Sequence, residues 1–262
     1  MDTKEEKKYQ APALEKGLDI IEVLSNHASG LSQVEIAREL GRSVGEIFRM
    51  LVVLCDRGYL SLDSHTDRYA LTTKLFEVSH RYPKIKRLTS LAVPVMNALA
   101  EKLCQSIHLA IVSEGKLLVI GQVDSPGYHL MSVRLGAKLD VWKASSGRVM
   151  LAHSPEQELD QFIIAHPPGD EDEIAQIKME LAKVRKKGYE ERKSYVIKGV
   201  VNISVPLTDY SGQAIACLTV PLIENVEGDN RTIRKECREA MLEAAQYLSE
   251  QMGGNLHEGS TH

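Results

Sequence analysis

The sequence lacks several features that would assign a protein class at once. No run of apolar residues reaches the length of about 18 that a membrane-spanning helix needs. Positive charge is not in excess, because 32 basic and 36 acidic side chains give a net charge of -4. This balance excludes a histone-like or ribosomal-like basic protein, although a small domain can still bind DNA through few charges. The first ten residues are charged and have no apolar core, so we expect no secretory signal.

Paired cysteines are also missing. The four cysteines are Cys55, Cys104, Cys217 and Cys237. Their scattered positions and the absence of a CxxC spacing favour reduced thiols in a cytoplasm over a disulfide framework or a zinc site. We therefore expect a cytoplasmic protein with no metal and no cofactor. The length of 262 residues and the apolar share of 43% are typical of one large globular domain or two small ones.

The pattern in residues 11–72 predicts a small DNA-binding domain that follows a disordered segment, residues 1–10. Apolar residues at helical spacing predict a first helix over 14–24. Ser32 with Glu35, and Ser43 with Glu46, each have the spacing of a capping box and predict two further helix starts. Two short strands follow, around a polar turn. Three helices and a hairpin in this order are typical of a winged helix-turn-helix, whose third helix enters the major groove.

Residues 73–88 are locally basic around Pro83 and are predicted to form a linker helix with a break or kink. A second domain is expected over 89–252, and a disordered tail over 253–262. The predicted helices are 91–103, Ser145–Ala152, 155–165, Glu171–Lys187 and 229–252. The predicted strands are 106–112, Lys116–Val123, 128–135, 200–207 and 214–221. Helices mixed in this way with an antiparallel sheet predict an α+β fold with a sensor domain.

Several segments in a fixed order resemble IclR-type transcriptional regulators from about residue 11 to residue 252. They are residues 13–21, 30–41, 48–51, 57–60, 134–136, 144–148, 187–189 and 198–200. The resemblance implies an N-terminal winged helix-turn-helix and a C-terminal GAF-like α/β effector domain. It also implies a homodimer or homotetramer that binds double-stranded DNA at a palindromic operator. Members of this family repress or activate genes for the catabolism of small carbon compounds, with a metabolite as the switch.

The predicted DNA contacts lie on the second and third helices and on the wing. They are Gln33, Arg42, Ser43, Val44, Gly45, Glu46, Arg49, His65 and Arg68. Arg49 can contact a phosphate or a guanine edge, or it can be a solvated surface residue. The family often has Ser-Thr where this chain has Gly45 and Glu46, and Glu46 can either accept from a cytosine amino group or cap the helix. Residues 1–88 carry 14 basic and 13 acidic side chains, so we expect few phosphate contacts per subunit.

The resemblance also places an effector site between the sheet and the small-residue turn before a helix. Carried over by position, its residues are Tyr128, Met131, Trp142, Ser145, Ser146, Arg192, Asn202, Thr219 and Pro221. Hydroxyl groups and helix N-terminal amides at Ser145 and Ser146 suit a carboxylate, unless a serine only caps the helix. Arg192, where relatives often carry an acidic residue, can clamp a carboxylate or point to solvent. Trp142 can border the site or pack in the core. The expected effector is a small organic acid, hydroxylated or sugar-derived.

Two other functions remain open from the sequence. A small-acid hydrolase is disfavoured, because Ser146 and Gly147 do not form a GxSxG elbow and no phosphate-binding glycine loop is present. The spacing of the histidines gives no HExxH motif. The remaining alternative is a small-molecule sensor that has lost specific DNA binding, which Gly45 and Glu46 would explain. We expect a DNA-binding regulator that represses a catabolic operon, and not an enzyme.

Overall fold

The computed structural model describes residues 11–80, 83–128, 130–224 and 228–253. The chain divides into two compact units, Met1–Pro83 and Lys84–His262. The segments predicted to be disordered, 1–10 and the tail, lie outside the described residues except for Gly253. In the described part of the chain, no helix combines the length and the apolar character that a membrane span requires.

The first unit has four helices and a small three-stranded sheet. Its helices are α1 (Pro12–Leu24), α2 (Gln33–Glu39), α3 (Val44–Asp56) and α4 (Lys74–His80), and its strands are β1 (Leu31–Ser32), β2 (Leu60–Asp63) and β3 (Arg68–Leu71). The strands are antiparallel in the order β1-β3-β2. Ile20, Ile36, Ile47 and Leu51 are fully buried in its core. The predicted winged helix-turn-helix is therefore present, with β1 as an additional strand that the sequence analysis missed.

Gly30 is what allows β1 to pair with the wing. Its φ is +68°, and a Cβ at this position would lie 2.5 Å from the carbonyl oxygen of Tyr69. Only glycine tolerates both the left-handed backbone and this close approach. The carbonyl of Gly30 also accepts a hydrogen bond from Arg68, so the start of the helix-turn-helix is fixed to strand β3.

The second unit is one antiparallel sheet with helices on both faces. Its helices are α5 (Pro83–Leu103), α6 (Ser145–Ala152), α7 (Glu156–Ala165), α8 (Glu171–Lys187) and α9 (Asn230–Gln251). Its strands are β4 (Ile107–Ser113), β5 (Lys116–Val123), β6 (Lys138–Asp140), β7 (Glu190–Lys193), β8 (Val200–Thr208) and β9 (Ala214–Ile223). The order across the sheet is β6-β5-β4-β9-β8-β7.

Strand alternation divides the residues of this sheet between two cores. Val201, Ile203 and Val205 of β8 lie in the core that contains α5 and α9. Because successive side chains of a strand point to opposite faces, Asn202 and Ser204 lie on the other face. There, helix α6 packs, and the hydroxyl of Ser145 lies 2.8 Å from that of Ser204. This second face carries the polar residues from which a site can be built.

Two predicted elements of this unit differ from the structure, and strands β6 and β7 were not predicted. The strand predicted over 128–135 is wrong, because the described residues of this segment pair with no strand. The strand that does pair with the start of β5 is β6, further along the chain. Strand β7 was missed, because its sequence EERK has no apolar alternation. Helix α5 begins at Pro83 rather than at Leu91, since a proline in the first turn removes no helical hydrogen bond.

Candidate DNA-binding surface and effector cavity

The N-terminus of α3 is held by a cap that uses Glu46. One carboxylate oxygen of Glu46 accepts from the backbone N–H of Ser43 at 2.9 Å and from its hydroxyl at 2.8 Å. The other oxygen forms an ion pair with Lys16 of α1 at 3.3 Å. These hydrogen bonds, chiefly from the backbone of Ser43, lower the pKa of Glu46 to about 2. Of the two roles left open by the sequence, the geometry favours the helix cap over a cytosine contact.

Three of the predicted DNA contacts also bond within the unit. Arg42 pairs with Asp19 of α1 at 2.9 Å. Arg68 donates to the carbonyl of Gly30 at 2.8 Å and pairs with Glu35 at 3.2 Å. The side-chain amide of Gln33 donates to the carbonyl of Val44 at 3.1 Å, which fixes the start of α2 against the start of α3. These side chains therefore have a structural role whether or not they also contact DNA.

The remaining predicted DNA residues are on the surface. Val44, Gly45 and Arg49 are exposed on α3, and His65 is exposed at the turn between β2 and β3. Among the residues that the structure describes, Arg49 has no ion-pair or hydrogen-bond partner, so its guanidinium is available to a ligand. Phe48, which the sequence analysis did not select, is 50% exposed beside these residues. Its exposure could have been predicted, because Phe48 is an aromatic residue outside the inward-facing apolar positions of α3.

A row of polar side chains crosses the second sheet beneath α6. Glu190, Ser204, Thr219 and His108 are direct neighbours on strands β7, β8, β9 and β4. All four are buried. The hydroxyls of Ser204 and Thr219 are 2.8 Å apart, and Ser145 of α6 joins them from above. A polar row of this kind inside an apolar unit requires its members to bond to one another or to a ligand.

A cavity of about 380 Å³ opens over one end of this row. Of the predicted effector residues it is lined by Met131, Ser145, Ser146, Asn202, Thr219 and Pro221. Its other lining residues are His108, Ser132, Val133, Arg134, Ala137, Leu139, Ala144, Ser194, Tyr195, Val196 and Ile197. The volume lies within the range of about 300–1,000 Å³ that is typical of small-molecule sites.

Three predicted effector residues do not line this cavity. Tyr128 is fully exposed. Trp142 packs edge-on against Phe162, with the ring centroids 5.6 Å apart, and its indole N–H donates to the carbonyl of His166. Arg192 lies 3.8 Å from Glu190 in a separate polar groove. The core position of Trp142 was one of the two alternatives that the sequence left open.

Five polar residues of the cavity lining were not predicted from the sequence, and two of them, His108 and Arg134, bear on ligand binding. His108 is buried, its ring has no hydrogen-bond partner in the described part of the chain, and burial lowers its pKa to about 4. It is therefore neutral near pH 7 and can donate or accept a hydrogen bond. Arg134 is exposed at the cavity edge and has no ion-pair partner among the described residues. It lies in the segment 134–136, which the family resemblance had already marked.

The start of α6 faces this cavity without a side-chain cap. Ala144 occupies the N-cap position and makes no side-chain bond to the helix. The hydroxyl of Ser145 is bonded to Ser204, so the plain capping role considered for it is not observed. The hydroxyl of Ser146, which is 2% exposed, has no hydrogen bond to any of the residues that the structure describes. First-turn amides with no cap form a site suited to an anion.

Gly147 lets α6 approach the sheet-side loop closely enough to form this site. A Cβ at Gly147 would lie 2.1 Å from the backbone carbonyl of Val141. That distance is well below van der Waals contact, so any larger residue would displace the helix. Position 147 therefore needs glycine because of the space around it, whereas Gly45 of α3 has no atom within 4 Å of the corresponding point.

A buried ion-pair cluster holds the other side of α6. Arg148 is 4% exposed at its side chain and pairs with Glu190 at 2.8 Å and with Glu180 of α8 at 2.6 Å. The second carboxylate oxygen of Glu190 is buried without a partner in the described residues. Burial raises the pKa of Glu190. Arg148 thus links α6 to β7 and α8 through two carboxylates.

Comparisons with known proteins give one consistent result. Residues 80–250 match the family model "Bacterial transcriptional regulator IclR C-terminal", and residues 13–64 match "IclR helix-turn-helix domain". The regulator KdgR of Dickeya chrysanthemi is 28% identical over 84% of this chain and 73% of that protein. The repressor AllR of Escherichia coli K12 is 24% identical over 80% of this chain and 79% of that protein.

Solved structures share the fold. The IclR of Thermotoga maritima superposes with a TM-score of 0.74 at 24% identity, over 92% of this chain and 98% of that chain. An IclR homologue of Microbacterium hydrocarbonoxydans, solved in complex with 4-hydroxybenzoate, gives a TM-score of 0.75 at 20% identity, over 92% and 98%.

Proposed function

Because the chain belongs to the IclR family of bacterial transcriptional regulators, we propose that it represses its target genes and that a small carboxylic acid in the α6 cavity switches its binding to DNA. The chain is a DNA-binding regulator with an effector-binding domain. Repression is proposed because relatives such as AllR are repressors by name. We further propose that it acts in the cytoplasm, as a homodimer or homotetramer on a palindromic operator, and catalyses no reaction.

The proposed DNA contact surface is the exposed N-terminal half of α3 with the wing. Arg49 carries this proposal, because its guanidinium is exposed and has no partner in the described part of the chain. Arg42 and Arg68 are already bonded within the unit, so their contribution is to fix the helix-turn-helix. A helix in the major groove contacts base edges through residues of its N-terminal part, where Arg49 lies.

Replacing Arg49 with alanine is expected to weaken operator binding roughly tenfold or more, because one good arginine–guanine pair contributes about 1–3 kcal/mol. The measurement is fluorescence anisotropy with a duplex selected from a random library by the full chain. Arg57→Ala is the control, since it removes the same charge at the C-terminal end of α3. Arg49→Lys distinguishes a phosphate contact from a guanine contact, because lysine keeps the first but loses bidentate recognition of guanine. Equal losses in Arg49→Ala and Arg57→Ala would contradict the assignment.

The proposed effector contacts combine four features of the cavity. The uncapped amides of α6 and the hydroxyl of Ser146 suit a carboxylate. Arg134 places a positive charge at the edge. His108 is neutral, buried and without a partner in the described residues, so it suits a hydroxyl or keto group of the same ligand. The unpartnered His108 carries the proposal, because a buried polar group needs a hydrogen-bond partner that the described residues do not supply.

The ligand class is supported by a structural relative. The homologue of Microbacterium hydrocarbonoxydans was solved with 4-hydroxybenzoate, a molecule with one carboxylate and one hydroxyl group. The present cavity has a partner for each of these two groups. Arg134 and the amides of α6 suit the carboxylate, and the neutral ring of His108 suits the hydroxyl group. We therefore propose a small monocarboxylate with a second polar group, and we assign no individual compound.

A panel of hydroxy, keto and aromatic monocarboxylates is expected to contain an acid that raises the unfolding temperature of the full chain, since a ligand that binds only the folded state stabilises it. Arg134→Ala should abolish most of this shift, because it removes the proposed charge partner of the carboxylate. Lys138→Ala is the matched control, because Lys138 is an exposed cation four residues away that does not line the cavity. A stabilising acid whose effect survives in Arg134→Ala would exclude Arg134 as its partner.

A further inference from the structure

The surface that α3 offers to DNA is mainly apolar. Val44, Phe48 and Val52 follow one another at four-residue spacing and are 40%, 50% and 41% exposed. Val34 of α2 is 65% exposed, and its neighbour Gln33 donates a hydrogen bond to the carbonyl of Val44. Three large apolar side chains in one exposed row are unusual on a helix whose inner face already fills the core, so this row needs a partner.

The polar groups around this row are largely occupied. Glu46 is bound by the cap and by Lys16, and the hydroxyl of Ser43 donates to Glu46. Arg42 is paired with Asp19. Arg49 is therefore the principal free polar side chain of the exposed α3 surface within the described residues. A helix with this composition cannot read most base pairs through hydrogen bonds.

The major groove has one apolar feature, the C5-methyl group of thymine, and apolar side chains recognise it by contact. We propose that Val44 and Phe48 read thymine methyl groups, so that each operator half-site carries thymines where the N-terminal half of α3 lies. This inference rests on the proposed DNA contact surface and adds the base that it selects. Phe48 and Val44 are thereby specificity-determining residues, and Arg49 supplies the adjacent polar contact.

Gly45 supports a close approach of α3 to the base edges. It lies between the apolar row and Arg49 on the exposed side, and the space around it is open. With no side chain at this position, the helix backbone can come nearer to the groove floor than an ordinary residue would allow. Short side chains such as Val44 can then reach a methyl group.

The experiment uses a duplex that the full chain selects from a random library. Each thymine of one half-site is replaced in turn by deoxyuridine, which removes only the methyl group. We expect one or two of these replacements to weaken binding about fourfold each, the value for one buried methyl group. At one of these positions, Phe48→Ala should bind the thymine and the uracil duplex with equal affinity. At a neighbouring position, Val44→Ala should do the same. Val53→Ala, which changes an exposed valine of the same helix, should keep the full uracil penalty.

The outcomes separate this inference from the proposed function. If the chain selects a duplex but no uracil replacement weakens binding, thymine reading is overturned and DNA binding stands. Thymine reading is also overturned if Phe48→Ala and Val44→Ala both keep the penalty. If Phe48→Ala changes the oligomeric state while the penalty stays, the apolar row seats a second copy of the chain and the inference fails. If no duplex is selected, both the inference and the DNA contact surface fail. Circular dichroism of each variant checks that these exposed substitutions leave the fold intact.

Discussion

Replacing Arg148 with methionine is expected to destabilise the effector unit by about 3–5 kcal/mol, the loss typical of a buried charge that loses its partner. Arg148 is almost completely buried and is bonded to both Glu190 and Glu180. Without Arg148, the carboxylate of Glu190 stays buried, and its one remaining cationic neighbour among the described residues is Arg192, at 3.8 Å. Urea unfolding followed by the fluorescence of Trp142, the single tryptophan, reports on this unit.

Two variants and a pH series make this prediction specific. Arg148→Met combined with Glu190→Gln should recover a large part of the loss, because the carboxylate that still loses its partner, that of Glu180, is 35% exposed at its side chain. Burial already raises the pKa of Glu190, and loss of Arg148 raises it further, so the protonated form is favoured in the folded state. The loss in Arg148→Met should therefore be larger at pH 8 than at pH 5.5. Arg192→Met, whose side chain is 44% exposed, should cost less than about 1 kcal/mol. A loss of that small size in Arg148→Met would contradict the role of the cluster.

The second large effect is an acid-linked loss of stability that comes from His108. Its pKa falls from 6.5 to about 4 in the folded state because of burial. Between these two values the unfolded chain binds a proton that the folded chain does not, so stability is present above pH 6.5 and is lost as the pH falls toward 4. From pH 7 to pH 5 this one group should cost about 2 kcal/mol.

The measurement compares the free energy of unfolding of the wild type and of His108→Gln at pH 7 and pH 5. Glutamine keeps hydrogen-bonding groups of similar size but does not titrate, so the wild type should lose about 2 kcal/mol more than the variant over this range. His65→Gln, at the exposed turn of the wing, is the matched control and should follow the wild type. Equal pH slopes for the wild type and His108→Gln would show that His108 is not held neutral by burial.

The sequence predicted best where the signal is local. The capping boxes at Ser32 and Ser43 place the starts of α2 and α3, because the two bonded residues are three positions apart in the chain. The strand predicted over 128–135 is wrong, because strand pairing is not a local property and the chain pairs with the start of β5 only at β6. Strand β7 has charged residues throughout, so its pairing with β8 leaves no periodic trace in the sequence.

For the candidate site too, the sequence did not reveal contacts between residues that are distant in the chain. Six of the nine effector residues carried over from the family lie around one cavity, and their assignment to a ligand stays a prediction. His108 was missed because its partner across the sheet, Thr219, is more than a hundred positions away. Arg192 was carried over from the family by position, but strand β7 places it in a different groove. Residue type suggested the chemistry, and only the tertiary structure decided which cation lies at the cavity.

The most direct test of an acid-switched regulator is the operator dissociation constant of the full chain with and without the acid that stabilises it. Fluorescence anisotropy on the selected duplex should show a change of about 5–150-fold when that acid is saturating, the range of ordinary coupling between two sites. The change should disappear in Arg134→Ala and persist in Lys138→Ala. An operator dissociation constant that is the same with and without the stabilising acid would contradict the account, because the cavity would then bind a ligand without controlling DNA.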